Sequence, residues 1–219
     1  MPKRLNLPVY ASYAEPGEDG RMHAPSAARN AADIAELVAA HAPPAGEALE
    51  IASGTGQHTV TLAARLPALR WQPSDIDASR RASVDAWAHS EGLTNIAAAI
   101  ELDATSPGWA AQHGGKSLIL LCNLLHLISE LEARILIAEA AQALVPGGIF
   151  ILYGPFLRDG ETTSEGDTRF HASLRAQDPE IGYKDDWGVI DWLHAAFLDL
   201  VQVVEMPANN LAFVSRRPG

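Results

Sequence analysis

At 219 residues, 47% apolar and 20% charged, the chain suits one soluble globular domain with a sizeable core. A net charge of −11 argues against a nucleic-acid substrate, because phosphate binding is driven by Lys and Arg. The single cysteine, Cys122, excludes an internal disulfide framework and suits a reducing, cytoplasmic compartment, and no apolar run approaches the ~20 residues that span a bilayer.

The chain begins Met-Pro-Lys-Arg-Leu-Asn-Leu-Pro, which has no long apolar core and so does not read as a signal peptide. Residues 1–26 carry four prolines and are expected to be extended or looped. A helix is predicted from Ser26, with Ser26 or Asn30 as cap and Ile34, Leu37 and Val38 as its apolar face, ending at Ala42-Pro43-Pro44. Residues 1–45 thus form an arm and helix in which Arg29-Asn30 can fold over a ligand crevice. The plainer reading of Arg29 is a solvated helix-start residue.

Next comes a predicted strand, Ala48 to Ala52, then Ser53-Gly54-Thr55-Gly56 and a helix from about Gln57 to Leu66. Strand, glycine turn, helix is the first unit of a nucleotide-type α/β fold; Gly54 and Gly56 let the backbone bend and approach a ligand. Such a turn can hold NAD, a nucleoside phosphate or S-adenosylmethionine. A dinucleotide fingerprint wants a further glycine where Thr59 stands, and a phosphate loop wants a lysine, of which there is none between Lys3 and Lys116. Glu50, at the strand end, disfavours a pyrophosphate and favours the ammonium and sulfonium charges of S-adenosylmethionine. His58, beside the turn, orients a loop or touches the cofactor.

Leu69 to Pro73 reads as strand 2, with Pro73 tolerable where its missing N–H faces away from the ladder. Asp75, 19 residues after Gly56, stands where this fold places an acid on ribose hydroxyls, with Ile76 against an adenine face. Asp77 is a candidate cap for the helix carrying Val84 and Trp87. Strand 3 is expected at Ile96 to Leu102, ending in Asp103-Ala104, and strand 4 at Ser117 to Cys122, ending in Asn123-Leu124-Leu125-His126. Asp103 reads equally as a cap or turn aspartate. A helix from about Glu130 to Leu144 closes at Pro146-Gly147-Gly148 before strand 5, Ile149 to Tyr153. Residues 155–185 are expected to be an irregular lid or acceptor loop. A last helix, about Asp186 to Ala196, precedes two strands, Leu200–Val204 and Leu211–Ser215, read as an antiparallel hairpin at the sheet edge.

Glu50-x-Ala52-x-Gly54-x-Gly56 resembles motif I of class I S-adenosylmethionine-dependent methyltransferases, departing only in Ala52, where many members have glycine. Leu144-x-Pro146-Gly147-Gly148 is a second shared feature. More narrowly, Ala28-Arg29-Asn30, Leu49 to His58, Trp71-Gln72-Pro73-Ser74-Asp75, Leu152-Tyr153-Gly154-Pro155-Phe156 and Met206 to Leu211 resemble a small methyltransferase-like family catalogued as domain of unknown function 938. The resemblance covers nearly the whole chain. It implies a three-layer, doubly wound, mostly parallel seven-stranded α/β sheet with a terminal antiparallel hairpin. It implies S-adenosylmethionine as cofactor and S-adenosylhomocysteine as product. Carried over residue by residue, the cofactor set is Arg29, Asn30, Glu50, Ala52, Gly54, Gly56, His58, Asp75, Ile76, Asp103, Ala104 and Asn123, with Asp103 accepting from the adenine amine.

For the chemistry, His126 is the leading candidate base, because an unperturbed imidazole titrates near ~6.5; the alternative is a structural histidine. Tyr153, His171, Asn209 and Asn210 are candidates for the acceptor side, the two asparagines reading equally as turn formers. No Asn/Asp-Pro-Pro-Tyr/Phe follows strand 4, which disfavours methylation of base or glutamine amines, and no His/Cys cluster has metal-ligand spacing. A small polar acceptor is the first expectation and a protein side chain the second. A cofactor-binding module without catalysis is a further alternative, while Glu50 and Thr59 argue against a nucleotide-dependent oxidoreductase. Monomer and homodimer are both compatible with the sequence.

Overall fold

The structure is a computed structural model describing residues 13–219. The part of the expected arm in residues 1–12 lies outside the described residues. A small antiparallel pair, β1 (Glu15–Pro16) and β2 (Met22–His23), leads into α1 (Pro25–His41). Then follow β3 (Gly46–Ile51), α2 (Gln57–Arg65), β4 (Leu69–Pro73), α3 (Ala78–Ser90), the short α4 (Ala110–His113) and β5 (Lys116–Cys122). The rest is α5 (Glu130–Ala143), β6 (Leu144–Leu157), α6 (Glu165–Gln177), β7 (Lys184–Asp185), α7 (Asp186–Ala195), β8 (Asp199–Met206) and β9 (Asn210–Arg216).

The seven-stranded sheet runs β4-β3-β5-β6-β9-β8, with β7 paired to the end of β6. Pairings among β4, β3, β5 and β6 are parallel, and β9 is antiparallel to both neighbours. Alternate residues of each central strand feed opposite faces, as a doubly covered sheet requires. Leu49, Ile51, Ile119, Leu121, Phe150, Leu152 and Phe213 pack against α5 and α7. Ala48, Leu118, Leu120, Ile151, Tyr153 and Val214 pack against α1 and α2. A third, smaller cluster of Leu127, Leu174, Ile181 and Tyr183 covers the strand ends near α6. Strand order reverses between β3 and β5, and it is at the carboxyl ends beside such a reversal that sheets of this kind bind ligands.

Four expectations change. Helix α1 starts at Pro25 with Ala24 as N-cap and no side-chain cap, so neither Ser26 nor Asn30 serves; proline at the first position needs no N–H partner. Strand 3 reduces to two isolated bridges, Trp71 to Ile96 and Ser74 to Ile100. Pro73 explains the gap: its carbonyl accepts from Ile100 N–H on the outer side, so its missing N–H falls in that same ladder, and the Gln72 side chain donates to the Ala98 carbonyl at 2.8 Å. The break expected at Pro146-Gly147-Gly148 is absorbed into β6, which starts at Leu144 with a register irregularity against β5. The segment expected to be irregular carries the 13-residue helix α6, whose only buried side chain is Leu174. The antiparallel hairpin expected at the sheet edge is present as β8 and β9, with β8 outermost on that side. Strand β9 is interior, since Leu211 to Ser215 are all buried, whereas Val201 and Val203 of β8 stay exposed.

Candidate functional site

The turn after β3 is built by three residues with positive φ: Ala52 at 55°, Gly54 at 59° and Gly56 at 94°. The two glycines serve different ends. A Cβ on Gly56 would lie 2.8 Å from Val84 Cα, so this glycine lets α3 pack against the start of α2. A Cβ on Gly54 would meet the Arg80 guanidinium at 3.7 Å, an ordinary contact, so here the positive φ and not crowding favours glycine. Beneath the turn, Ser53 N–H donates to the Ser74 carbonyl, and Ser74 N–H and Oγ donate to the Glu50 carbonyl at 3.0 and 2.8 Å. The ends of β3 and β4 are thereby locked together.

Glu50 is 1% exposed, and the Thr59 hydroxyl donates to its carboxylate. Burial pushes its pKa up to about 7, with hydrogen bonds from Thr59 and Ser53 pulling the other way. Thr59, a misfit where a dinucleotide turn wants glycine, is thus the partner of the acid. Asp75 is likewise buried; Oδ2 accepts Gly54 N–H at 3.0 Å and Oδ1 accepts Asp77 N–H at 2.9 Å. Burial raises its pKa as well. Asp77 caps α3, accepting from Ser79 and Arg80 N–H. Ile76, between the two acids, is 44% exposed, an apolar side chain left open to solvent just past the end of β4. Asp103 folds back on its own turn, accepting from Thr105 N–H and Oγ1 and from Ser106 Oγ, and the buried Ala104 offers its carbonyl to Trp109 Nε1. Asn123, at the end of β5, takes a φ of 55° and donates its N–H to the Tyr153 carbonyl.

Three candidates from distant parts of the chain meet in one network. His58 Nε2 donates to Asn30 Oδ1 at 2.8 Å, and Asn30 Nδ2 donates to the Tyr153 hydroxyl at 3.3 Å. Burial lowers the His58 pKa to about 4, so its ring is neutral, and burial raises that of Tyr153, so its hydroxyl stays protonated. Arg29, one residue away on α1, is exposed.

Other candidates lie elsewhere. His126 sits in a short helical turn, 5% exposed, edge-on to Phe170 and Tyr183, with its Nδ1 buried and unpartnered. Burial, then the charge of Lys184, lowers its pKa to about 3. The premise of an unperturbed imidazole is therefore corrected: desolvation makes this ring a very weak base. His171 Nδ1 accepts Tyr183 N–H at 3.0 Å and supports the same α6 cluster. Asn209 and Asn210 lie at the β8–β9 turn, where Asn209 has a φ of 60° and its Nδ2 donates to Asp167 Oδ2, and Asn210 Nδ2 donates to the Pro207 carbonyl. Asp167, missed in the sequence, also accepts from Tyr183, Thr163 and Ser164; the string Ser164-x-x-Asp167 was the available signal. Lys184 was missed too; its buried Nζ donates to the Ile128 and Gly182 carbonyls.

Residues 21–217 match the family described as "Protein of unknown function (DUF938)". The chain belongs to that family. Among solved structures, this DUF938 protein is similar to an O-methyltransferase family protein from Burkholderia thailandensis, with 18% identity and a TM-score of 0.73 over 89% of this chain and 58% of that one. It is similar to human N-acetylserotonin methyltransferase in complex with SAM, with 14% identity and a TM-score of 0.72 over 89% of this chain and 53% of that one. It also resembles geranyl diphosphate C-methyltransferase from Streptomyces coelicolor A3(2), with 11% identity and a TM-score of 0.68 over 87% of this chain and 81% of that one. These likenesses establish the fold of class I methyltransferases. The DUF938 chain spans little more than half the length of the first two. Among the described residues, no helix is long and apolar enough to cross a membrane, and no group of three or more His, Cys, Asp or Glu is arranged to hold a metal ion.

Proposed function

We propose that this protein transfers a methyl group from S-adenosylmethionine to a small polar acceptor. The observation that carries this reading is the unit of Glu50, the positive-φ glycine turn and Asp75 at the reversal of strand order. The donor set suits the cofactor. Each Asp75 oxygen spends one lone pair on a backbone N–H and keeps another for a ribose hydroxyl. Ile76 offers an exposed apolar surface to a purine. Glu50, with a pKa of about 7, is about half ionised at neutral pH and offers negative charge to the ammonium and sulfonium groups, whose approach favours its ionised form. Bound there, S-adenosylmethionine supplies an electrophilic methyl group on a leaving group that departs as a neutral sulfide.

The chain's own contribution is then positioning. The Ser53–Ser74 clamp and the bonds to Asp75 hold the turn rigid, so an acceptor meets a fixed geometry. Effective molarity of this kind is worth roughly 7–11 kcal/mol in favourable cases. Tyr153, protonated and already accepting from Asn30, serves as a hydrogen-bond donor and not as a base. Acid–base assistance from His126 is weak at its lowered pKa. That same observation favours a second reading, a cofactor-binding module without turnover.

Calorimetric titration with S-adenosylmethionine, S-adenosylhomocysteine and NADH tests the proposal. Micromolar binding of the first two and none of the third supports it, and Glu50→Ala or Asp75→Ala then weakens both. Silence from both adenosyl ligands in a folded sample overturns it. Binding without turnover across a broad acceptor panel selects the second reading.

A further inference from the structure

A cavity of about 540 Å³ lies beyond the end of β6, lined by residues including Arg158, Asp159, Asp186, Glu205, Met206 and Asn209 and not by the glycine turn. Arg158 is held at its edge by a tight two-residue turn. Its N–H donates to the Glu161 carbonyl at 2.8 Å, and the reciprocal bond is 3.0 Å, across Asp159 and Gly160 at φ of 50° and 80°. One guanidinium nitrogen, Nη2, donates to the Asn209 carbonyl at 3.3 Å. The other, Nη1, is buried and has no acceptor in the protein. The side chain as a whole is only half-buried, Nη2 keeps a second N–H beside the one given to Asn209, and an arginine fork matches a carboxylate.

The remaining walls carry the opposite charge. Asp159, Asp186 and Glu205 place three carboxylates around one guanidinium, so a simple anion meets net repulsion. Two of these acids are fixed: Asp159 Oδ1 accepts from Trp187 Nε1 at 2.7 Å, and Asp186 Oδ1 accepts from Trp187 and Asp159 N–H at 2.9 and 3.3 Å. The Asn209 side chain is fixed by Asp167. A ligand that satisfies Arg158 without repulsion from the rim carries a carboxylate at one end and an ammonium beside it, and Met206 offers an apolar contact for the rest.

We propose that this cavity is a binding site for a small zwitterion of the free amino-acid class, with its carboxylate on Arg158 and its ammonium toward the acidic rim. The site stands on the cavity's own groups and does not depend on methyl transfer.

Saturation-transfer NMR of the full chain with each of the twenty standard amino acids, without any adenosyl ligand, tests it. The best binder is then compared with its N-acetyl and its amide derivatives. The expected result is binding of at least one amino acid, weakened at least tenfold by either derivative and by Arg158→Gln. Glu205→Gln, a change at an exposed side chain, is expected to narrow the discrimination against the N-acetyl form several-fold while the melting curve stays unchanged. Saturating S-adenosylhomocysteine should leave the signal in place; displacement would put the zwitterion in the cofactor crevice and overturn the assignment. Failure of all twenty, equal binding of either derivative, or wild-type binding by a folded Arg158→Gln protein overturns it too.

Discussion

Ala52 occupies the left-handed region at a φ of 55°, where a Cβ is strained by roughly 1–2 kcal/mol. Glycine removes that strain but gains freedom in the unfolded chain, so Ala52→Gly should stabilise by about 0.5–1 kcal/mol. Calorimetry should show Tm rising by about 2 °C; a fall would mean the Cβ makes a contact that outweighs the strain. Gly56 is the opposite case. A Cβ there would stand 2.8 Å from Val84 Cα at a φ of 94°, so Gly56→Ala should cost about 2–4 kcal/mol and abolish cofactor binding by pushing α3 away from the turn. Unchanged stability would show that α3 yields freely. The acids of this site were legible because strand ends and their spacing can be read from the sequence. The Thr59 bond to Glu50 and the Tyr153–Asn30–His58 network were not, because no local pattern announces a contact across helices. His126 looked poised from its place after strand 4; burial, invisible in the sequence, reversed its chemistry.

At the level of elements, α6 leans on polar ties. It buries only Leu174 and is joined to the β8–β9 turn through Asn209 and to Tyr183 through Asp167, whose pKa these hydrogen bonds lower against the opposing effect of burial. Asp167→Ala should therefore speed amide hydrogen exchange across residues 164–177 while global stability changes by about 1 kcal/mol or less. Exchange rates equal to wild type would show that apolar packing alone holds this helix. Its polar composition is also why the helix escaped periodicity: with so little of it buried, no apolar stripe marks a face. Strand β5 was readable as an unbroken apolar run, and β3 from Ala48-Leu49 set directly before the glycine turn. The third strand was not, since Pro73 acts on a partner some twenty-five residues away in sequence.

For the molecule as a whole, the buried Glu50 gives folding a distinct pH response. Its folded pKa of about 7 lies above the ordinary 4.5, so the folded state holds a proton that the unfolded chain has released. The associated stability is complete below about pH 4.5 and is lost as pH rises to about 7, by on the order of 3 kcal/mol. Asp75 is shifted in the same direction. His58 and His126 act oppositely, losing stability as pH falls below 6.5 toward their folded values of about 4 and about 3. Glu50→Gln keeps an acceptor for Thr59 without the charge, so the gap in Tm between wild type and variant should shrink or reverse from pH 5 to pH 8. A pH-independent gap would show that Glu50 titrates normally. The interior position of β9 carries a consequence for biosynthesis. While a ribosome is still making the chain, β6 has its β5 partner but leaves the backbone N–H and C=O groups of its other edge unpaired until residues 210–216 emerge. Chaperone capture of nascent chains should concentrate in that interval, ending when the last strand slots in beside its earlier neighbour.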